Sequence, residues 1–305
     1  MTIDDHAAEF AGRPIEDFNP ETGINNPNGI AYAIRADYYT DESTITDRLQ
    51  PFFDDPRAGE VEAIVIGIWE EAFDTSSSVI VDALVAARDT LKNLKAIFLG
   101  DIHYQECEIS WIQQSDVAPL LTAFPKLEHL KVRGGEGLAF SSLSHTHLKS
   151  LTLEAGGLSD EVIRQIGRSH LPALEHLELW LGTDNYGGTA TVEDLDPILS
   201  GRLFPKLRFL GLKNAEIAGD IARALIGAPV VENIETLDLS MGTLTDADVE
   251  ALGDSEAFRA LGALELSDNY LTEEMLENLR GAGLNVLSTE QGDPDTSWRY
   301  CSVAE

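Results

Sequence analysis

The residues best suited to catalysis lie between Asp101 and Cys107, where an aspartate, His103 and a cysteine share seven positions. A cysteine beside a histidine can act as a nucleophile when a third group orients the histidine. The sequence identifies no such group, and cysteine–histidine pairs are frequent by chance. An enzyme based on Cys107 is therefore a minor hypothesis, which predicts unusually fast alkylation of this thiol near neutral pH.

Two other patterns contain residue types found in metal or phosphate sites, but the residues around them do not complete such a site. His145 and His147 are alternate residues of a predicted turn with no cysteine or aspartate beside them to complete a zinc site. The glycine-rich segment 134–137 follows a predicted strand but does not continue into a phosphate-binding motif. The sequence therefore predicts no catalytic residue, no metal site and no cofactor.

A repeated apolar pattern runs through most of the chain, and the strands and helices that it predicts must position any functional residues. Its one complete copy, LGALELSDNYL from Leu261 to Leu271, matches L-x-x-L-x-L-x-x-N-x-L. The first apolar position recurs at intervals of 21 to 33 residues, which leaves room for one strand and one helix per unit. These first positions are Val61, Leu94, Leu127, Leu148, Leu174, Leu207, Ile234, Leu261 and Leu284.

Helix signals lie between these predicted strands. The segments that begin at Ser159, Thr245 and Thr272 each start with a capping residue and an early acid before an apolar stripe, and Gly281 is a predicted helix stop. Alternating strands and helices predict an α/β fold, a right-handed solenoid with a parallel concave sheet, outer helices and a cap at both ends.

The regions that flank the repeats are predicted to be the caps. Residues 1–28 are expected to be an irregular lead-in, followed by a strand over Ile30–Tyr38 and a helix over Ser43–Phe53. The end of the chain is expected to form a closing strand that protects the sheet edge. One continuous domain then contains a lead-in and cap at 1–60, a solenoid of about nine strand units at 61–287 and a capping segment at 288–305.

The repeats resemble the ribonuclease-inhibitor-like class of leucine-rich repeats, and specifically the stand-alone cytoplasmic leucine-rich-repeat proteins of bacteria. The resemblance covers residues 61–287. It departs from the family at the ninth motif position, where Asn269 is the motif asparagine but Gly156, Ala215 and Gly242 stand in other copies. The resemblance implies a protein-binding surface rather than a catalyst.

The composition favours a soluble, acidic protein. Asp and Glu number 53 against 21 Lys and Arg, which gives a formal charge of −32. This charge repels nucleic acid and anionic membranes and favours a basic protein partner, or else reflects a solvated surface adapted to a salty cytoplasm. The acidic start and the lack of a long apolar run predict a cytoplasmic protein without a signal peptide or membrane span. Cys107 and Cys301 match no disulfide or metal spacing.

The predicted binding surface is the face of the sheet opposite the repeated leucines, because side chains alternate along a strand. Aromatic and basic residues on this face have the composition of a binding hot spot. The aromatic candidates are expected to anchor a protein partner and the charged ones to orient it, unless the face is merely solvated. With one loop tyrosine, the candidates are His129, Lys131, Arg133, His176, Glu178, Trp180, Tyr186, Phe209 and Lys213.

Three insertions are predicted to form a second part of this surface. They follow the strands of the 33-residue units, at 69–77, 101–111 and 182–191, and insertions of this kind lie on one rim of a solenoid. Trp69 and Trp111 are expected to tuck over the first apolar rows, whereas Tyr186 is expected at an exposed tip.

Three functions follow from these patterns. The leading one is a non-catalytic scaffold or inhibitor that binds a protein through a preformed surface. The second is a regulator that stimulates a partner enzyme, as leucine-rich-repeat GTPase activators do, for which Arg133 is the only basic candidate. The third is the enzyme based on Cys107.

Overall fold

A computed structural model of the 305-residue chain describes residues 3–36 and 43–304. Within these residues a sheet of twelve strands follows the order of the chain from β1 to β12. The first pair is antiparallel and every later pair is parallel. The strands are β1 Glu9–Phe10, β2 Arg13–Asp17, β3 Ala31–Ile34, β4 Ala63–Ile66, β5 Ala96–Leu99, β6 His129–Arg133, β7 Ser150–Glu154, β8 His176–Gly182, β9 Phe209–Ala215, β10 Thr236–Asp238, β11 Ala263–Glu265 and β12 Val286–Leu287.

The repeat pattern predicted nine of these strands. Each strand from β4 to β12 begins two residues after one of the nine predicted first positions. Alternation then puts Leu151 and Leu153 of β7 in the main core, where they are buried together with helix residues such as Val162 and Ile163. The α/β class and the mostly parallel sheet are confirmed, and the arrangement is compatible with a solenoid.

Helices connect the parallel strands. In the described residues they are α1 Ile45–Asp54, α2 Ser78–Ala86, α3 Ala118–Ala123, α4 Asp160–Gly167, α5 Val192–Leu199, α6 Ala218–Leu225, α7 Asp246–Val249, α8 Glu256–Arg259 and α9 Glu273–Gly281. The helix N-caps predicted at Ser159 and Thr272 are present. The Ser159 hydroxyl accepts from the Val162 N–H, and the Thr272 hydroxyl accepts from the Met275 N–H. The described part of the chain contains no helix that is both long and apolar enough to span a membrane.

The N-terminal lead-in is more regular than the sequence indicated. Ala11 and Gly12 both have positive φ and form a two-residue turn between β1 and β2, and β2 then pairs with β3. The sequence did not indicate this hairpin, because alanine is unusual at the first position of such a turn. The predicted strand over Ile30–Tyr38 is Ala31–Ile34, with residues 37 and 38 outside the described part, and the helix predicted from Ser43 begins at Ile45 behind a Thr44 cap.

The same N-terminal segment covers one end of the sheet. Ala33, Val65 and Phe98 form a second, smaller apolar cluster with residues of the lead-in, on the side of the sheet away from the main core. The Phe10 and Phe98 rings lie 5.7 Å apart. Because these strand residues are small or apolar, the lead-in can pack directly on them and remove them from solvent.

The C-terminal tail does not form the predicted closing strand. The last strand is β12, and residues 299–304 lack regular structure and lie across the ends of earlier strands. The Ser302 N–H donates to the Met241 carbonyl after β10, and the Tyr300 N–H donates to the Tyr270 hydroxyl after β11. The tail alternates because one side packs on these strand ends, not because it pairs along a sheet edge.

Candidate functional site

The side of the sheet away from the main core, from β6 to β10, is called the open face. Its register places the predicted residues in parallel rows across the sheet. One row contains His129, Ser150, His176, Phe209 and Thr236, and the next contains Lys131, Thr152, Glu178, Gly211 and Asp238. The row beyond them pairs Arg133 with Glu154 and Trp180 with Lys213.

The basic residues of β6 are engaged by acids of neighbouring segments. Lys131 Nζ lies 2.7 Å from Glu154 Oε1, and Arg133 Nε lies 2.8 Å from Glu154 Oε2. Arg133 also donates to the Ile102 carbonyl at 2.8 Å. Burial raises the pKa of Glu154, but the two adjacent cations outweigh it and hold this pKa below its usual range. Arg133 is only 4% exposed, so it lacks the exposed position that the GTPase-activator hypothesis requires.

A second charged cluster lies on β8 to β10. The Glu178 carboxylate accepts from Trp180 Nε1 at 2.8 Å and lies 3.3 Å from His176 Nε2. Lys213 Nζ stands 3.7 Å from Glu178 and 3.1 Å from Asp238. Burial opposes ionisation of Glu178, but the His176 hydrogen bond, the Lys213 charge and the Trp180 hydrogen bond lower its pKa to about 2. These charges bind one another and stabilise the face.

The aromatic candidates of the open face are less exposed than a hot spot requires. Trp180 is 8% exposed, and its ring lies 5.8 Å from Lys213 Nζ. Phe209 stacks on His176 with ring centroids 4.1 Å apart, and both are half-buried. His129 is also half-buried, and its pKa is lowered mainly by burial. The structure thus brings the predicted open-face residues together, with Phe209 and His176 as its accessible aromatic pair.

In the loop from Asp101 to Cys107, the cysteine thiol and the aspartate carboxylate are both engaged by other groups. Burial, with smaller contributions from Glu108 and Glu106, raises the pKa of Cys107 to about 11. Its thiol donates to the Glu108 carbonyl at 3.6 Å. Asp101 is fully buried and pairs with Arg35 at 2.5 Å.

The ring of His145, the first histidine of the predicted turn, is bonded to the backbone. His145 Nε2 lies 3.2 Å from the Phe124 carbonyl, and its Nδ1 accepts from the His147 N–H at 3.3 Å. Both ring nitrogens of His145 therefore have partners, which favours a structural role for this buried side chain.

The insertions after the strands carry exposed aromatic residues. Trp69 is fully buried as predicted, and its Nε1 donates to the Thr75 carbonyl at 2.7 Å. Trp111, in contrast, is 54% exposed, so the expectation that it tucks over the first rows was wrong. Phe73 is 47% exposed. Tyr186 is half-buried in a short 3₁₀ turn, Asp184–Tyr186, so the expectation of an exposed tip was wrong. Trp111 is the last residue of another 3₁₀ turn, Ile109–Trp111, and its ring is exposed to solvent.

A buried asparagine holds the C-terminal tail against the strand ends. The side chain of Asn214, at the end of β9, is fully buried and pairs with both backbone polar groups of Val303. Its Oδ1 accepts from the Val303 N–H at 2.9 Å and its Nδ2 donates to the Val303 carbonyl. Asn214 has positive φ, a conformation that asparagine tolerates better than most residues. This pairing fixes the tail beside the loops that follow β7 to β11.

The tail and the insertions form one continuous edge. A Cβ at Gly156, just after β7, would overlap the Ala304 carbonyl and would lie 3.2 Å from the Ser110 Cβ. The C-terminal tail and the insertion at 101–111 therefore both lie against the backbone at Gly156. Trp298 and Tyr300 are 73% and 65% exposed. The surface made by Trp111, Tyr186, Trp298 and Tyr300 is called the aromatic rim.

A groove lies within the aromatic rim. It has a volume of about 700 Å³ and is bounded on one side by the 3₁₀ turn and on the other by the tail. Its lining includes Thr183, Tyr186, Glu216, Trp298 and Tyr300. The sequence indicated the insertions but not Trp298 or Tyr300, because no local pattern shows that the tail returns over earlier strands.

Comparisons with known proteins find solved structures that are similar to this chain. No family model matches the chain, and no curated protein matches it. The crystal structure of a Bacteroides fragilis protein, a structural-genomics target, is similar with a TM-score of 0.78 and 30% sequence identity. The match covers 89% of this chain and 76% of the Bacteroides fragilis chain.

Proposed function

The chain belongs to the same family as the Bacteroides fragilis protein, and we propose that it is a non-catalytic leucine-rich-repeat scaffold that binds a protein partner. The observation that carries this proposal is the aromatic rim, where Trp111, Trp298 and Tyr300 are each more than half exposed along one edge. Large exposed aromatic side chains are costly in water and concentrate where partners bind.

The environment of Asn269 supports assignment to the leucine-rich repeats. Its Nδ2 donates to the carbonyls of Leu239 and Leu266, and its Oδ1 accepts from the Leu244 N–H at 3.0 Å. One buried amide thus connects two successive units at their turns, as expected for the motif asparagine. A right-handed solenoid of such units would offer the extended, preformed surface that repeat proteins use for binding.

The aromatic rim is a better anchor than the open face for an energetic reason. On the open face, Lys131, Arg133, Glu178 and Lys213 already form ion pairs with neighbours, so a partner would have to compete with them. Trp111, Trp298 and Tyr300 carry no charge, so a partner that covers their rings does not compete with an ion pair of these side chains. A partner anchored there would contact the open face through the half-buried pair of His176 and Phe209.

The charge of the chain determines the kind of partner. A formal charge of −32 attracts a basic protein and speeds its encounter, and it opposes nucleic acid. The regulator alternative has no observation in its favour, because its candidate Arg133 is buried. We therefore propose binding without stimulation of a partner enzyme.

Comparative binding tests this proposal. The Trp298→Ala and Tyr300→Ala double variant is compared with Ile226→Ala, an exposed apolar residue just after α6, for capture of a native partner. The double variant should lose the partner and the Ile226 variant should retain it. Phe209→Ala reports on the open face. Equal capture by the wild type and the double variant would exclude the aromatic rim, and loss with Phe209→Ala alone would move the site to the open face.

A further inference from the structure

A cluster of two histidines and a glutamate joins the N-terminal segment to the loop after β5. His6 lies before β1, whereas His103 and Glu106 lie in that loop. His6 Nε2 is 3.5 Å from Glu106 Oε1, and His103 Nε2 is 3.8 Å from Glu106 Oε2. One potential ligand atom from each residue lies within 4.8 Å of the other two.

Backbone contacts hold the two segments in this arrangement. The Tyr104 N–H donates to the Ile3 carbonyl at 2.9 Å, and the Ala7 N–H donates to Asp101 Oδ1 at 3.0 Å. His6 Nδ1 lies 3.0 Å from the Asp101 carbonyl, to which it can donate only as N–H. This bond places a proton on Nδ1, so Nε2, the nitrogen that faces Glu106, is the atom that can bind a metal ion once its own proton is displaced. Metal-binding histidines commonly have their second nitrogen fixed in this way.

His103 has bonding capacity that the described residues do not satisfy. Its Nδ1 is buried and has no hydrogen-bond partner within 3–36 and 43–304. Its Nε2 makes only the 3.8 Å approach to Glu106. A half-buried imidazole without an ordinary hydrogen bond is costly, and a metal ion bound to Nε2 would give this ring one strong partner.

We propose that His6, His103 and Glu106 bind a divalent transition-metal ion of the zinc class, with a fourth coordination position left open. Two imidazoles and a carboxylate are a ligand set that suits zinc. Tetrahedral bonds of roughly 2.0–2.2 Å place ligand atoms about 3.3–3.5 Å apart, so the three ligand atoms, which lie within 4.8 Å of one another, would move closer together when the ion binds. The open position faces a cavity of about 520 Å³ that His6, His103 and Glu106 help to line.

The ion would act as a cross-link between distant parts of the chain. The His6 segment continues into the lead-in that packs on Val65 and Phe98. A metal bound by His6 and the loop after β5 would therefore hold this cover over the first strands. Metal binding to the folded protein alone would raise the thermal stability in proportion to the logarithm of the metal concentration.

Metal titration of the full chain tests this inference. Chelator-treated protein is titrated with zinc by calorimetry, and with cobalt(II) by visible absorption. One tight equivalent is expected, with the intense absorption of four-coordinate cobalt. His103→Ala and Glu106→Gln should each weaken zinc binding by more than about 100-fold, beyond the 10- to 100-fold typical of residues outside the ligand shell. The matched control is His147→Ala, an exposed histidine outside the cluster.

The outcomes separate the cluster from general zinc binding by an acidic protein. Tight binding that the His147 variant retains and the cluster variants lose supports the site. If the cluster variants fold poorly, X-ray absorption of the zinc-loaded wild type decides, because the site requires two imidazole ligands. Wild-type protein that binds only weakly at several equivalents, or a spectrum with fewer than two imidazoles, would overturn the inference.

Discussion

Replacement of Glu178 by glutamine should remove a large, acid-sensitive part of the stability of the open face. The carboxylate is bonded by Trp180 and paired with Lys213 and His176. Glutamine keeps the shape and can still accept from Trp180 Nε1, but it carries no charge. Lys213 retains Asp238 at 3.1 Å, so the variant leaves no unpaired lysine and reports on Glu178 itself.

The pKa of Glu178 sets the magnitude. The folded state lowers it from 4.5 to about 2, and each unit of difference from the unfolded chain is worth about 1.4 kcal/mol. The ionised carboxylate therefore contributes on the order of 3 kcal/mol. Because the folded pKa is depressed, this contribution is complete above about pH 4.5 and is lost as the pH falls toward 2. Glu178→Gln should be destabilised by up to this amount at pH 7 and by almost nothing near pH 2.

Urea unfolding followed by far-ultraviolet circular dichroism at a series of pH values measures the difference. The matched control is Glu235→Gln, because Glu235 pairs with Arg208 while both side chains are 64% exposed. An exposed pair of this kind contributes at most about 1 kcal/mol. If Glu178→Gln were as stable as the wild type at pH 7, or lost stability in acid as steeply, the assigned electrostatics of the open face would be refuted.

Two substitutions and one thiol-labelling experiment test other parts of the structure. Gly182→Ala should lower the free energy of unfolding by more than about 2 kcal/mol, because Gly182 has positive φ and a Cβ would overlap the Gly156 carbonyl. A urea midpoint equal to that of the wild type would contradict the close approach of the segments that end β7 and β8. Asn214→Ala should release the tail, since it leaves the backbone groups of Val303 unpaired, and hydrogen exchange at Val303 should accelerate; unchanged protection would show that the tail is held by other contacts. Both thiols should alkylate slowly at pH 7.5 in the native protein, because burial raises the pKa of Cys107 to about 11 and of Cys301 to about 12; fast labelling of Cys107 would revive the enzyme hypothesis.

The repeats were predictable because each unit carries its own strand signal. Apolar residues at fixed spacing located nine strands, and caps such as Ser159 and Thr272 located helix starts. The hairpin β1–β2 was missed because its turn has alanine rather than asparagine or glycine at the first position. The tail was misassigned because alternation alone does not distinguish a strand from a segment that packs one side on other turns.

The register of the open face was predictable, but the exposure of its residues was not. Alternation along the strands gives the rows, whereas Arg133 is buried beside Glu154 of the next strand and Trp180 beside Lys213 of the next strand. Similarly, nothing local links His6 to His103, because their proximity depends on where the N-terminal segment folds back. Properties that depend on contacts between distant segments require the three-dimensional structure.

Photo-crosslinking from the aromatic rim is the most direct test of the proposed binding function. A photoreactive phenylalanine analogue is placed at Trp298 in one protein and at Ile226 in another, and both are irradiated in extract from the native cell. A discrete protein adduct from position 298 that is absent from position 226 is the predicted result. The same adducts from both positions, or none from position 298 while Phe209→Ala alone abolishes partner capture, would contradict binding at the aromatic rim.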